Sequence, residues 1–383
     1  MPPVIESSTT PVWGDPAAWE NPPALHGEVA ADICVVGLGG SGLAAVGAAL
    51  EAGASVVGID AGPIAGGAAG RNGGFLLAGG ALFHHAAVAA WGEERAVGIY
   101  EESLAALDRL AVELGPLVRR VGSVRIPASI EETEDCAQQL AALERHGFPA
   151  RAADGPTGPG VFIPGDGSIQ PLERCRLLAR RALDHGARLY SDTPAVALAG
   201  DRVTTPAGEV RCKAVVVCVD GWLERLLPEL AGQARSARLQ MLATAPIEPG
   251  RIPCPVYDNW GYEYWQQLPD GSVALGGGRG VYGEAEWGRE AEPGADVQEW
   301  LERRLRERVG VAAPVTHRWA GVIAYTPDRL PVFAEVRPGV IVVGAHSGHG
   351  NVLGSAAARA AMAIALGRPA PRLARLLRPE RWE

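Results

Sequence analysis

The sequence predicts an α/β protein, α+β overall, whose two ends are built around glycine-rich turns. Three observations carry that reading. The apolar run Ile33-Cys34-Val35-Val36 passes directly into Gly37-Leu38-Gly39-Gly40-Ser41-Gly42 and an Ala/Leu-rich stretch, and the next apolar run ends at Asp60. A second glycine cluster spans Gly62 to Gly74. Near the other end, Val340 to Gly344 leads into Ala345-His346-Ser347-Gly348-His349-Gly350 and an alanine-rich stretch.

The first unit has the order strand, G-x-G-x-x-G turn, helix, strand, acid, which suits the diphosphate and ribose of an adenine dinucleotide. Gly37 permits the tight turn off the strand, and Gly39 leaves the pyrophosphate unobstructed. Gly42 lets the helix pack closely on the sheet, while the helix N-terminus at Gly40 and Ser41 meets the phosphate charge. Asp60, followed by Ala61 and roughly 20 residues beyond the turn, is placed to accept from a ribose 2′-OH. The unit is therefore Rossmann-like.

The second cluster, Gly66-Gly67-Ala68-Ala69-Gly70-Arg71-Asn72-Gly73-Gly74-Phe75, is too rich in glycine for a helix or strand interior and reads as a loop in close contact with a ligand. The C-terminal strand, loop and helix place another helix N-terminus at a ligand. A nicotinamide dehydrogenase has no need of these two extra elements. A flavin adenine dinucleotide, long and mostly buried, uses both.

Between the ends, Leu104, Leu107, Leu110 and Leu114 recur at helical spacing and predict a helix over 93–114. Val121–Pro127 reads as a strand, Glu131–Arg145 as a helix, and Pro171 opens a helix closing near Gly186. Strands are expected at Ala195–Leu198, Arg202–Thr204 and Ala214–Val219, then in the aromatic-rich stretch Arg238–Gly277, and again at Val315–Tyr325 and Val332–Glu335. Glu299–Arg308 reads as a charged helix. Because the glycine elements must converge on one ligand, the expected cofactor domain is discontinuous, built from 28–90, 155–235 and 325–383. A substrate domain on a mixed or antiparallel sheet takes 91–154 and 236–324.

Composition narrows the function. A net charge of −9 argues against a nucleic-acid partner. Six cysteines with no C-x-x-C pair, and no secretory h-region in Met1–Asn21, favour a reduced cytoplasmic protein. Residues 33–50 are uncharged, but their glycines fall at dinucleotide-turn positions, so they read as a strand–helix pair and not a membrane span. No metal-ligand spacing is present, and no metal is expected.

The chain resembles the D-amino-acid-oxidase-like family of FAD-dependent amine oxidoreductases, and within it the γ-glutamylputrescine oxidoreductase-like proteins. The resemblance rests on His26-Gly27-Glu28-Val29-Ala30-Ala31-Asp32-Ile33-Cys34, on Ala69-Gly70-Arg71-Asn72-Gly73-Gly74-Phe75, on Tyr325-Thr326-Pro327-Asp328-Arg329-Leu330-Pro331 and on Ser347-Gly348-His349-Gly350. It implies FAD contacts at Gly37, Gly39, Gly40, Ser41, Gly42, Asp60 and Ala61. Gly70, Arg71, Asn72, Gly73 and Gly74 would lie along the isoalloxazine, Val196 at the adenine, and Gly221 and Trp222 at a strand end, with Asp220 a departure from the pattern. Ser347, Gly348, His349, Gly350, Asn351 and Val352 would approach the pyrimidine edge of the flavin. Gly321 stands about where some relatives carry a flavin-tethering cysteine, which implies non-covalent FAD. Ile323 replaces the arginine that clamps an α-carboxylate in amino-acid oxidases, which turns the expectation toward a polyamine-like or γ-glutamyl amine. The alternatives are a glycine-, sarcosine- or D-amino-acid-type oxidase and a non-catalytic FAD-binding sensor.

Substrate-side candidates are Tyr262, Tyr264, Trp265, Arg279, Tyr325 and His346. On a strand over 261–268, Tyr262 and Tyr264 share one face and Trp265 the other, so one face is core and the other a possible cation–π cage for an amine. Arg279 is either an anchor for an acidic group or a surface arginine. His346 and His349 are either acid/base groups or loop residues acting through their backbone. Trp222 and Trp319 read as core aromatics. Lys213, the only lysine, abuts a cofactor-domain strand and is poorly placed to assist oxygen, so the electron acceptor is oxygen or another carrier.

Overall fold

The structure, a computed structural model, describes residues 9–155 and 157–378. Its centre is a six-stranded sheet in the spatial order Arg188–Tyr190, Val56–Ile59, Ile33–Val36, Ala214–Val217, Val340–Gly344, Val332–Arg337. All pairings are parallel except the last, which is antiparallel. Buried parallel strands must be apolar on both faces, and the alternation divides their side chains between two cores. Ile33, Val35, Val216, Ile341 and Val343 join one cluster, against the helices Gly40–Glu51, Pro171–Asp184 and Ser355–Ala365. Cys34, Val36, Val215, Val217, Val340 and Val342 join the other. A four-stranded sheet of Gly27–Ala30, Gly208–Arg211, Arg202–Thr204 and Ala197–Ala199 adds Leu198, Val203 and Val210 to that second core.

An eight-stranded sheet runs Val315–Tyr325, Arg235–Thr244, Val273–Gly277, Glu263–Gln267, Val256–Asp258, Ser123–Ile126, Gly160–Ile163, Arg151–Ala153. It is antiparallel except where Ser123–Ile126 lies parallel to Val256–Asp258. One transverse row of this sheet, in register, is Arg125, Tyr257, Tyr264, Gly276, Met241 and Trp319. The opposite face packs Trp265, Leu242, Val273 and Leu275 against Val297, Leu301 and Leu305 of the helix Ala295–Glu307. That helix is also clamped electrostatically: Arg304 reaches Glu263 at 2.6 Å, and Arg308, just beyond the helix end, reaches the buried Asp258 at 2.7 Å.

Most expected elements appear where the pattern placed them, including the helix Glu93–Leu114, flanked by Gly92 and Gly115, and the helix Ile130–Arg145, capped by Ser129 Oγ on Glu132 N at 3.2 Å. Three things were not legible. The strands Arg151–Ala153 and Gly160–Ile163 are short, lie among Gly and Pro, and gain their form only by pairing. The helix His84–Trp91 has no polar face to announce it. The polar segment before Asn21 is also engaged: Trp13 is buried, its Nε1 donates to Asn72 O at 2.8 Å, and its carbonyl accepts from Gln170 Nε2 at 2.8 Å. Residues 33–50 form the strand–helix pair expected, and no helix among the described residues is long and apolar enough to cross a membrane.

The turn at Gly37 fixes the first helix against the sheet. Gly37 has φ of +94°, and a Cβ on Gly42 would sit 1.7 Å from Gly37 O. Gly47, in the same helix, has no neighbour within 4 Å of such a Cβ. Gly42→Ala should therefore destabilise by about 3 kcal/mol, at the upper end of overpacking costs. Gly47→Ala should be neutral or stabilising by roughly 0.5–1 kcal/mol through helix propensity. The thermal melt of the Gly42→Ala variant should fall while that of Gly47→Ala holds or rises; equal shifts would contradict the close approach.

Candidate active site

A cavity of about 310 Å³ lies between the loop at 68–73, the inward face of the eight-stranded sheet, the segment 81–86 and the loop at 347–352. The second and third glycine-bearing segments of the sequence line this cavity, and the first lies against the second. A Cβ on Gly39 would stand 3.0 Å from Ala69 Cβ, so the dinucleotide-type turn and the second glycine loop nearly touch. Asn72 binds the second loop to itself and to the C-terminal loop. Its Nδ2 donates to Ala68 O (3.1 Å) and Ala69 O (2.9 Å), and its Oδ1 accepts from Gly74 N (2.8 Å) and Asn351 Nδ2 (2.9 Å). Trp319 Nε1 donates to Arg71 O at 2.7 Å, tying the loop to the sheet.

These groups fit a flavin dinucleotide. The turn Gly37–Gly42 stands at a helix N-terminus whose cap, Gly39, makes no side-chain hydrogen bond, and Gly73 lies against Tyr264, with 3.0 Å from an added Cβ to Tyr264 Cε2. Asp60 accepts from Leu38 N at 2.6 Å and Gly62 N at 3.1 Å, which stiffens the turn; burial pushes its carboxyl up to about 6, opposed by those backbone donors. A ribose hydroxyl donating to this carboxylate would use lone pairs the two backbone bonds leave. Arg71 spends Nε on Gly66 O (2.9 Å) and reaches Ala320 O with Nη1 (3.4 Å), so it serves its own loop and lines the cavity at once. Arg174, which the sequence did not single out, is fully buried beneath Gly40 and bonds Asn351 Oδ1 at 3.3 Å and Ser355 Oγ. It brings a positive charge under the first helix N-terminus.

At the C-terminal loop, Ala345 and Ser347 have φ of +49° and +50°, and a π-helical turn at Gly350–Gly354 runs into the helix Ser355–Ala365. Backbone of this shape is often held at functional sites. Ser347, Gly348, His349, Asn351 and Val352 line the cavity. His349 stacks on Tyr257 (6.5 Å between centroids, 9° between planes), and desolvation, assisted by the charge of Arg125, pulls its imidazole down to about 4. It is neutral at pH 7. Val196 is exposed and its N–H is bonded to Thr204 O at 2.8 Å. Gly221 packs on Val322 and, like Trp222, lies away from the cavity.

Two substrate-side expectations and one core assignment need correction. Trp265 does not face the cavity; strand alternation points it into the core under Ala295–Glu307. His346 is buried with Nε2 3.3 Å from Ser41 Oγ and its backbone N on Asp220 Oδ1 at 2.8 Å, so it belongs to the support of the first helix rather than to a substrate. Trp222 is 42% exposed and lies beside Arg225, not in the core. Tyr262, Tyr264, Arg279 and Tyr325 do line the cavity. The cation over their rings, however, is the protein's own: Arg279 Cζ lies 4.6 Å from the Tyr262 ring and 4.3 Å from that of Tyr325.

Sequence reading missed Arg125, Tyr257, Phe83 and Arg329 in the cavity wall. Arg125 carried a signal, a charge at an inward position of the apolar run 121–127. The wall holds Arg71, Arg125, Arg279 and Arg329 against one acid, Asp135, whose Oδ2 accepts from Trp260 Nε1 at 2.7 Å.

Known proteins agree with this architecture. The chain is 27% identical to the probable oxidoreductase OrdL of Rhizobium meliloti, over 93% of this chain and 88% of the relative. It is 25% identical to gamma-glutamylputrescine oxidoreductase of Escherichia coli, over 85% and 81%. Among solved structures it is similar to glycine oxidase from Geobacillus kaustophilus (TM-score 0.76, 18% identity, 90% of this chain and 96% of that one). It is likewise similar to L-proline dehydrogenase from P. horikoshii (TM-score 0.74, 18% identity, 92% and 96%), a likeness of fold. The family of FAD dependent oxidoreductases, DAO, matches residues 32–364. With the second and C-terminal glycine segments lining one cavity, the first turn set against the second, and that match over most of its length, the chain belongs to the DAO family of FAD-dependent oxidoreductases.

Proposed function

We propose that the protein oxidises the C–N bond of a primary or secondary amine that also carries a carboxylate, of which a γ-glutamyl amine is the model, giving an imine that hydrolyses. The observation that carries this reading is the charge of the cavity wall, four arginines to one aspartate. A polyamine brings two or more ammonium groups into that field and is disfavoured; an amine with a carboxylate is matched. The Escherichia coli relative's name points the same way. Ile323, in the wall, offers no clamp for the α-carboxylate of a simple amino acid.

Bound FAD would supply a two-electron acceptor at flavin N5 for the hydride on the carbon next to nitrogen. The protein's part is to hold that carbon still and to set the charge around it. The positive wall lowers the pKa of a bound ammonium, so the amine is held neutral, with its lone pair free to assist loss of the hydride. Gly37–Gly42 and Asp60 would hold the diphosphate and ribose, Val196, Gly221 and Trp222 the adenosine end, and Gly70–Gly74 the flavin ring. Backbone N–H groups at 347–352 would face developing negative charge. None of the cavity's wall residues is a cysteine, which supports non-covalent binding. Lys213 is exposed and paired with Asp32 at 2.7 Å, so the reading does not commit the enzyme to oxygen as acceptor. The six free thiols favour a cytoplasmic setting.

The same reading assigns 28–90, 155–235 and 325–383 to a cofactor domain and 91–154 and 236–324 to a substrate domain. In its support, the six-stranded sheet draws every strand from the first set, and among the strands of the eight-stranded sheet Gly160–Ile163 is the one lying wholly outside the second.

The purified protein should be yellow and should release its flavin to the supernatant on acid precipitation; colour kept in the pellet would contradict non-covalent binding. Under anaerobic conditions, γ-glutamylputrescine should bleach the flavin faster than putrescine, N-methyl amino acids or glycine. No bleaching by any amine would refute the reading. Arg279→Ala, which uncovers Tyr262 and Tyr325, should raise KM about tenfold, the value of one charge-assisted hydrogen bond, with flavin content unchanged. An unaltered KM would remove Arg279 from the site.

A further inference from the structure

We propose that Arg125 forms an anion subsite, receiving the substrate's carboxylate at a distance from the flavin loop. The proposal rests on the amine-oxidase reading above and adds where the acidic end of the substrate lies. Arg125 is 6% exposed and lines the cavity, yet its Nε has no hydrogen-bond partner and no carboxylate forms an ion pair with it among the described residues. The buried Asp166 spends its oxygens on Ala78 N at 2.8 Å and Ser123 Oγ at 2.6 Å, not on the guanidinium. What Arg125 does have is rings: its Cζ lies 5.0 Å from the Phe83 centroid and 5.2 Å from that of Tyr257.

Ring contact covers the faces of a guanidinium and leaves its in-plane N–H donors unanswered. Those donors match the two oxygens of a carboxylate. A buried charge so placed is costly when empty, and a ligand that supplies the missing acceptors recovers the loss. Position gives the subsite its meaning. In the transverse row of the eight-stranded sheet, Arg125 pairs with Tyr257, and Tyr257 with Tyr264, the residue against Gly73. Two strand spacings, roughly 10 Å, therefore separate Arg125 from the position facing the cofactor loop. A carboxylate held there belongs to a substrate whose acidic end is several bonds from the oxidised carbon, not to an α-amino acid bound through its own carboxylate. His349, neutral and stacked on Tyr257, has both ring nitrogens without a partner and is a second donor or acceptor for the same end.

The test is equilibrium binding by calorimetry on the flavin-loaded protein, with glutarate as probe and dimethyl glutarate as its uncharged counterpart. Wild type should bind glutarate and not the diester. Arg125→Met should weaken glutarate about tenfold or more, Arg125→Lys should restore part of the loss, and both should keep their flavin. Equal binding of acid and diester by wild type, or glutarate affinity unchanged in Arg125→Met, would overturn the subsite. So would loss of glutarate in Arg279→Ala with retention in Arg125→Met. If Arg125→Met does not fold, the diester comparison and Arg125→Lys decide. Because no turnover is read, failure here is distinct from failure of amine-driven bleaching, which would sink the oxidase reading while leaving the subsite standing.

Discussion

Close approach of backbone to backbone is the constraint on which the rest of this structure depends. Gly42 sits under the carbonyl of Gly37, and the turn it makes brings Gly39 against Ala69 of the second glycine loop. Asn72 then ties that loop to Asn351 of the C-terminal loop, 279 residues later in the chain. A Cβ at Gly42 would displace the turn, and a displaced turn would move the loop that forms one wall of the cavity. The first helix is supported from behind by Arg174 beneath Gly40, which also ties to Asn351 and Ser355, and by His346 against Ser41.

Charge is distributed in two ways. Around the helix Ala295–Glu307, arginines meet buried carboxylates at Asp258 and Glu263, and the pairs close on themselves. In the cavity they do not. Arg279 and Arg125 rest on aromatic rings, and one aspartate faces four arginines. Stacking on rings lets a guanidinium be buried while its in-plane donors stay available, and this is the physical basis on which the proposal of a carboxylate-bearing amine rests.

The strand–turn–helix at 33–51 and the loop character of 62–74 were legible because glycine spacing and apolar runs are local signals. Tyr262 and Tyr264 could be singled out because they crowd one aromatic-rich stretch, Arg279 because it ends a glycine run, and Tyr325 because it opens a segment that carries the family resemblance. His346 misled, since a histidine in a glycine loop reads the same whether it faces the cavity or the helix behind it. Trp265 was correctly given the face opposite Tyr264, but alternation alone does not say which face is core.

By itself the sequence determined the glycine turns and the strand–turn–helix units that carry them, because each depends on residues a few positions apart, and the recurrence of those turns along the chain pointed to the class of cofactor. Tertiary structure alone decided which charges line the cavity. Arg125 comes from a strand 132 residues before Tyr257, and it becomes part of the site only because those two strands lie side by side in parallel register. Which face is buried, which cation covers which ring and which arginine is left without a partner follow from that pairing, and no local pattern encodes it.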